Sequence, residues 1–227
     1  MMEELKRQAA IAALDAIKDG MIVGLGSGST ASLFIKELGA RVRAGLRVKG
    51  IPSSEDSRRL AEELGIPLTT LLEHPSIDVT VDGADEVSDR LDLTKGLGGA
   101  LVREKIVAHA SKRVIIVVDE SKLVDKLGRK APIPVEVIPL AMALVQAQLV
   151  RWGGEAKPRE RDGKVFISDN GNVILDWKYG TIDQPAVFEK QLKALTGVVD
   201  SGIFANVASM VIAATSTGIR KLVPSSS

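Results

Sequence analysis

The 227-residue chain contains no cysteine. Disulfides, thiol nucleophiles and thiolate metal sites are therefore excluded. Histidine is almost as scarce: His74 falls in a loop and His109 in a helix, and neither stands beside a motif for a zinc site or a serine–histidine triad. Aromatic residues make up only 3% of the chain, and there are only three asparagines and five glutamines. The few asparagines and glutamines, together with the missing cysteine, fit a protein from a hot environment. No charge of one sign dominates, since the net charge is +1 and no run of lysine or arginine gathers into a patch. Nucleic acid and anionic membrane are therefore poor candidate partners. No apolar run approaches the roughly 18 residues that a bilayer crossing requires. The opening Met1-Met2-Glu3-Glu4-Leu5-Lys6-Arg7 lacks the apolar core of a secretion signal, so a cytoplasmic location is expected.

What is present is a soluble globular composition, 45% hydrophobic and 26% charged, with enough apolar residues for a sizeable core. Four apolar runs each hand over at once to a polar or glycine-rich loop. Met21–Leu25 leads into Gly26-Ser27-Gly28-Ser29-Thr30, and Leu46–Pro52 into Ser53-Ser54-Glu55-Asp56-Ser57. Ile77–Val81 leads into Asp82-Gly83-Ala84-Asp85-Glu86, and Val114–Val118 into Asp119-Glu120-Ser121-Lys122. Strands alternating with helical segments predict a parallel sheet, whose ligand sits outside the carboxyl ends of the strands. The chemistry is thus expected in one crevice built from those four loops.

Helical periodicity marks Glu3–Lys18, a segment starting at Ser29-Thr30, a segment capped by Ser54, and Ala100–Ala110. Together with strands at Met21–Leu25, Leu46–Ile51, Ile77–Val81 and Arg113–Val118, these predict a Rossmann-like, doubly wound α/β sheet. Near Lys130 the composition changes, and Pro132, Pro134 and Pro139 suggest a linker and an edge strand. The elements that follow are a helix Leu140–Trp152, a strand near Ala156–Arg159 with a turn at Asp162-Gly163, strands Val165–Ser168 and Val173–Asp176, a helix Pro185–Leu195 and a strand Val198–Phe204. The Asn170-Gly171 pair is a hairpin signal. That order predicts a smaller ferredoxin-like α+β domain at residues 127–203, with residues 1–126 plus 204–227 forming the Rossmann-like domain. The strand Ala208–Ala214 is expected to return to the first sheet.

The turn Gly24-Leu25-Gly26-Ser27-Gly28-Ser29-Thr30 leaves backbone N–H groups free to meet an anion at a helix N-terminus, with hydroxyls at Ser27, Ser29 and Thr30. A dinucleotide fingerprint would want glycine in place of Ser29 and an acid after the second strand, where Ser53-Ser54 stand. A Walker loop would want Gly-Lys-Ser/Thr. A small phosphate fits better. Asp82 and Asp85, three residues apart with Gly83 and Ala84 between, suit gripping sugar hydroxyls and moving protons; a solvated acidic turn or a magnesium site are the alternatives. Lys95 and Lys122 can offset the acids. Lys95-Gly96-Leu97-Gly98-Gly99-Ala100 precedes a helix whose first turns hold Arg103, Glu104 and Lys105. Glu104 would lie about one and a half turns in. Taken singly it reads as a surface acid; beside a lysine, a glycine-rich loop and a sugar-binding loop it is a candidate general base.

These residues together resemble ribose-5-phosphate isomerases of the A type, over essentially the whole chain. The family's marks are a Gly-x-Gly-[Ser/Thr]-Gly-Ser-Thr turn, an Asp-Gly-Ala-Asp-Glu loop and a Lys-Gly-x-Gly-rich turn leading to Arg-Glu-Lys. They appear here at Gly24–Thr30, Asp82–Glu86 and Lys95–Lys105. Asp119–Lys122 and Gly202–Asn206 match as well. One departure is Leu97, where the family usually has glycine; a positive φ there would strain leucine. The resemblance implies interconversion of ribose 5-phosphate and ribulose 5-phosphate through an enediolate, without metal or organic cofactor. It implies Glu104 as the base, with Asp82, Asp85 and Lys95 holding hydroxyls and stabilising the enediolate. It places Ser27, Gly28, Ser29, Thr30, Lys122 and Lys6 near the phosphate, with Gly83, Ala84, Gly96, Leu97 and Gly98 lining the substrate. It also implies a homodimer or homotetramer. Two other classes compete. A sugar-phosphate sensor would need no Glu104, and the roughly twenty residues before the first strand hold no helix-turn-helix pattern. Acyl or CoA transfer would want a nucleophilic glutamate and a larger cleft.

Overall fold

The structure is a computed structural model that describes residues 2–224. Along the chain run α1 (Met2–Ala13), β1 (Ile22–Leu25), α2 (Ser29–Arg43), β2 (Lys49–Pro52), α3 (Glu55–Glu63), β3 (Val79–Asp82), β4 (Glu86–Val87), β5 (Leu93–Thr94), α4 (Leu101–His109) and β6 (Val114–Asp119). There follow β7 (Ile133–Val137), α5 (Met142–Trp152), β8 (Glu155–Pro158), β9 (Glu160–Arg161), β10 (Lys164–Val165), β11 (Val173–Lys178), α6 (Pro185–Lys193), β12 (Val198–Ser201), β13 (Ile203–Phe204), β14 (Met210–Thr215) and β15 (Gly218–Leu222). The chain divides into two compact units. The first holds residues 1–84, 103–123 and 207–227; the second holds 85–102 and 124–206, so the segment Asp85–Val102 groups with the second unit.

The first unit is built on a six-stranded sheet of order β15-β14-β6-β3-β1-β2. Five strands are parallel, and β14 does return to the sheet, pairing with β6 from Met210–Ile115 to Ala214–Asp119. The edge strand β15 pairs antiparallel with β14 and had no counterpart in the sequence reading, because Gly218-Ile219-Arg220-Lys221 alternates weakly and is exposed. A parallel sheet covered on both faces reads as continuous apolar runs rather than alternation, as every residue of β6 is buried. One face carries Val23, Leu25, Val79, Val81, Ile115, Val117, Ile212 and Ala214, packed with Ala9, Ala10 and Ala13 of α1 and Phe34, Ile35 and Leu38 of α2. Each buried valine, leucine, isoleucine or phenylalanine among them contributes about 1.5–3 kcal/mol. The small alanine face of α1 lets that helix lie close to the sheet. On the opposite face, Gly24 makes room for α4: a Cβ there would stand 2.8 Å from Val107 Cγ1 and 1.8 Å from Thr80 Oγ1. The predicted opening helix is shorter than expected, ending at Ala13 and passing into a 3-10 turn at Leu14–Ala16.

The second unit contains a four-stranded antiparallel sheet of order β12-β7-β11-β8. With α5 joining β7 to β8 and α6 joining β11 to β12, this is the strand–helix–strand–strand–helix–strand module expected from the pattern. Its core gathers Ile133, Val135, Val137, Leu149, Leu175, Trp177 and Leu192. Two expectations are corrected. The proline-marked strand β7 is central, not an edge, pairing with both β11 and β12. Proline is tolerated because its missing N–H falls where β12 ends: Gly202 donates to the Pro134 carbonyl (2.7 Å) and turns its own carbonyl to Lys95 N–H (2.8 Å). Only glycine fits there, since a Cβ would lie 2.2 Å from the Lys95 carbonyl oxygen. The second correction concerns Val165–Ser168, which is not a sheet strand. Its first residue closes the small hairpin β9–β10 through Asp162 (φ 53°) and Gly163 (φ 71°), and Ile167 makes a lone bridge to Val173. Both turn residues have positive φ, as a type I′ turn requires. A three-stranded ribbon of order β13-β5-β4 completes the unit. Among the described residues, no helix is long and apolar enough to cross a membrane.

Candidate active site

The loops after β1, β2, β3 and β6 leave the same edge of the first unit's sheet from adjacent strands. The turn after β1 is shaped by Asp82, which is 2% exposed at the end of β3. Asp82 Oδ1 accepts from Ser27 N–H (2.9 Å) and Gly83 N–H (2.7 Å), and Gly26 N–H reaches the Val81 carbonyl at 3.0 Å. Gly26 must be glycine, because a Cβ would stand 2.2 Å from Asp82 Oδ1 and 2.5 Å from its Cα. Gly28 precedes α2 with φ 91° and no side chain caps the helix. Its leading N–H groups and the positive end of its dipole suit an anion. Lys6 of α1 donates to Ser29 Oγ at 3.0 Å, which brings the predicted ammonium to the turn. Thr30 is buried in the first turn of α2.

Ser27 faces a different way. Its hydroxyl meets Ser53 Oγ at 2.9 Å and donates to Ser54 Oγ at 2.8 Å. Ser54 in turn caps α3 in a capping box with Ser57. Glu55, the first residue of α3, accepts from Arg103 Nη1 at 2.8 Å and from Arg58 Nε at 2.7 Å. The Arg103 hydrogen bond, followed by that of Arg58, holds the Glu55 carboxyl below the usual carboxylate range. A chain of polar contacts therefore runs from the glycine-rich turn after β1 to the start of α4. Glu104 is the next residue along, and it is buried, 4% exposed, rather than a surface acid. It lies one turn before Val107, on the part of α4 nearest the loop edge. Lys122 ends a one-turn 3-10 helix, Glu120–Lys122, whose N-cap Asp119 accepts from Ser121 N–H at 2.9 Å. The first unit thus assembles Lys6, Ser27, Gly28, Ser29, Thr30, Asp82, Gly83, Ala84, Glu104 and Lys122 on loops and helix ends of one sheet edge.

The second unit holds Asp85, Lys95, Gly96, Leu97 and Gly98. β4 pairs antiparallel with β5, Glu86 opposite Thr94, so the next rung sets Asp85 opposite Lys95. Asp85 N–H reaches the Thr94 carbonyl at 2.7 Å, and Asp85 Oδ2 accepts from Leu97 N–H at 3.0 Å. Lys95 is buried, 3% exposed, with Nζ 5.7 Å from the centre of the Phe204 ring. Leu97 is unstrained: the positive φ values fall on Gly96 (98°) and Gly99 (94°). Sequence reasoning missed Arg159, which holds the loop by donating to the carbonyls of Gly96 (2.7 Å) and Leu97 (2.9 Å) while its Nε bonds Asp176 at 2.9 Å. It also missed the Ser53–Ser54 grip on Ser27 and the Arg103–Glu55 pair. These partners are tens of residues apart, and no local pattern announces them.

A doubly wound sheet with a glycine-rich, anion-ready turn at its loop edge defines the class of α/β proteins that bind a small anionic ligand outside the carboxyl ends of their strands. Residues 49–218 match the profile of the family described as ribose 5-phosphate isomerase A (phosphoriboisomerase A). Ribose-5-phosphate isomerase A of Gloeobacter violaceus is 50% identical over 225 residues, covering 99% of this chain and 98% of that protein. The protein of that name from Methanothermobacter thermautotrophicus is 50% identical over 221 residues, covering 96% and 97%. Among solved structures, a D-ribose-5-phosphate isomerase in complex with phospho-erythronic acid superimposes with a TM-score of 0.96 at 43% identity, covering 98% of this chain and 99% of that one. The chain belongs to the ribose-5-phosphate isomerase A family.

Proposed function

We propose that this enzyme interconverts D-ribose 5-phosphate and D-ribulose 5-phosphate through an enediolate, in the non-oxidative pentose phosphate pathway. The observation that carries the reading is the buried Glu104, held one residue from the Arg103–Glu55 pair that leads back to the phosphate-binding turn. An aldose–ketose shift requires one base to move a proton between C2 and C1, donors for the oxyanion that develops, and a grip on the phosphate for orientation. Glu104 is the base. Lys95 and Asp85 hold the reacting oxygens, and Asp82 binds a hydroxyl while its Oδ1 shapes the turn. The N–H groups of Gly28, Ser29 and Thr30, with Lys6 and Lys122, take the phosphate. Phospho-erythronic acid, the ligand solved with a relative, carries a phosphate and a planar carboxylate, which matches the charge and shape of an enediolate phosphate. No organic cofactor enters this chemistry.

Incubation with ribose 5-phosphate, followed by detection of ketose, tests the reading in one step. Ketose formation is expected; its absence, with ribose 5-phosphate bound unchanged, would favour a sensor. We further propose a cytoplasmic homo-oligomer. Self-association is supported by the face of the second unit around α5, where Leu140 is 98%, Leu144 57% and Val150 50% exposed. Apolar faces of that kind mark protein contacts. Light scattering after size exclusion should give at least a dimer, and a monomer would reject the assignment.

A further inference from the structure

The carboxylate of Glu86 is fully buried and lies outside every role assigned above. It stands on β4 between Asp85 and the body of the second unit, and all of its recorded contacts are ones in which it accepts. Oε2 takes Thr94 Oγ1 at 3.0 Å and Gly128 N–H at 2.7 Å. Oε1 takes Lys130 N–H at 2.5 Å and Ala131 N–H at 3.1 Å. Thr94 is the residue opposite Glu86 on β5 and immediately precedes Lys95. One side chain thus binds the loop 128–131 and both strands of the β4–β5 ribbon at the rung next to Asp85 and Lys95. Two-residue strands have little ladder of their own to hold register. Three backbone N–H groups inside the unit would also lose their acceptor without it, and unsatisfied buried donors are costly.

We propose that Glu86 is a positioning residue for the isomerisation, fixing Asp85 and Lys95 in the register that presents them to the reacting carbons. The proposal rests on reading Asp85 and Lys95 as substrate ligands. Glutamine in its place is isosteric but has one oxygen instead of two. Its amide NH₂ would face either Lys130 and Ala131 N–H or Gly128 N–H, donor against donor. A misplacement of about 1 Å at a reacting centre costs on the order of a hundredfold in rate.

The test is steady-state kinetics of Glu86→Gln, Thr94→Val and Leu149→Ala, each assayed well below its own unfolding midpoint. Leu149→Ala weakens the same unit's core away from the ribbon. Glu86→Gln is expected to lower kcat by about ten- to hundredfold with KM for ribose 5-phosphate little changed, because the phosphate grip lies in residues that Glu86 does not touch. Thr94→Val, which deletes one of the four hydrogen bonds, is expected to lower kcat by a smaller factor. Leu149→Ala should lower the midpoint and leave kcat intact. If Glu86→Gln keeps the wild-type kcat while its midpoint falls as for Leu149→Ala, Glu86 is structural only and the proposal is overturned. Should Glu86→Gln fail to fold, an unchanged kcat for Thr94→Val overturns it instead. A parallel Lys95→Ala variant separates the underlying reading: full activity there would reject Lys95 as a ligand whatever Glu86 does.

Discussion

Replacing Gly26 by alanine should damage the enzyme at one atom. Its φ is not positive, so the backbone itself accepts alanine, and the effect is steric. The new Cβ would stand 2.5 Å from Asp82 Cα and 2.4 Å from its Cγ, whereas carbon atoms rest at about 3.5–4.0 Å. The Cα cannot swing aside, so the turn must retreat by about 1 Å. That retreat breaks Gly26 N–H to Val81 (3.0 Å) and Ser27 N–H to Asp82 (2.9 Å). Two hydrogen bonds at about 1 kcal/mol each, with about 1–3 kcal/mol for overpacking, give a loss of about 3–5 kcal/mol. For a protein of this size each kcal/mol lowers Tm by about 2–4 °C, so calorimetry should show a fall of about 6–20 °C. Because the same retreat moves the turn proposed to hold the phosphate, kcat/KM should drop by about a hundredfold. Gly20→Ala is the comparison: its φ of 83° strains alanine while nothing lies within 4 Å, so stability falls by about 1–3 kcal/mol and activity stays. A Gly26→Ala enzyme with wild-type Tm and kcat/KM would refute the steric argument.

Other consequences follow from the same geometry. Lys6→Ala removes the ammonium that reaches Ser29 Oγ, and initial rates should show KM for ribose 5-phosphate raised by about ten- to hundredfold, since a charged hydrogen bond is worth about 1.5–3 kcal/mol; an unchanged KM would remove Lys6 from the proposed phosphate site. Turnover should persist in excess EDTA, as the chain has no cysteine and only two histidines, and activity lost to EDTA but restored by a divalent cation would contradict this. Asp78, at the opposite edge of the sheet, has its carboxyl held below its usual 3.8, chiefly by the Lys112 hydrogen bond and then by that of Ile22 N–H. A depressed folded-state pKa adds stability above the unfolded value, and that stability is lost as pH falls through the folded one. The Tm advantage of wild type over Asp78→Asn should therefore hold from neutral pH down to about pH 4 and shrink below it; a gap that persisted at pH 2 would exclude the mechanism.

The strands and helices of the first unit were legible because burial on both faces writes itself as long apolar runs, and because Ser29-Thr30 and Ser54 mark helix starts. The glycine-rich turn between β1 and α2 was legible from its spacing, whereas the reason for glycine at 24 and 26, close approaches by Thr80 and Asp82, was visible only in the structure. β7 was misread as an edge because proline usually loses a ladder bond; here the bond it lacks falls where Gly202 has already turned to Lys95. The strands β4 and β5 were invisible, since two-residue strands have no period to detect, and β13 was read as the end of a strand Val198–Phe204 that Gly202 divides. What held the site residues in place was hidden for another reason. Glu86, Arg159 and Arg103 work through partners more than forty residues away in sequence, a distance over which spacing carries no signal. Glu104 was a base candidate from its place after the Lys95 loop, but its burial on a nine-residue helix became visible only once that helix was set against β1.

The central claim is that Glu104 moves the proton. The most direct measurement is turnover of ribose 5-phosphate by Glu104→Gln, paired with calorimetric binding of phospho-erythronic acid. General acid–base catalysis contributes about 10²–10⁴-fold, so kcat should fall by at least that much while the ligand binds as tightly as to wild type. A Glu104→Gln enzyme that isomerises at the wild-type rate would contradict the account.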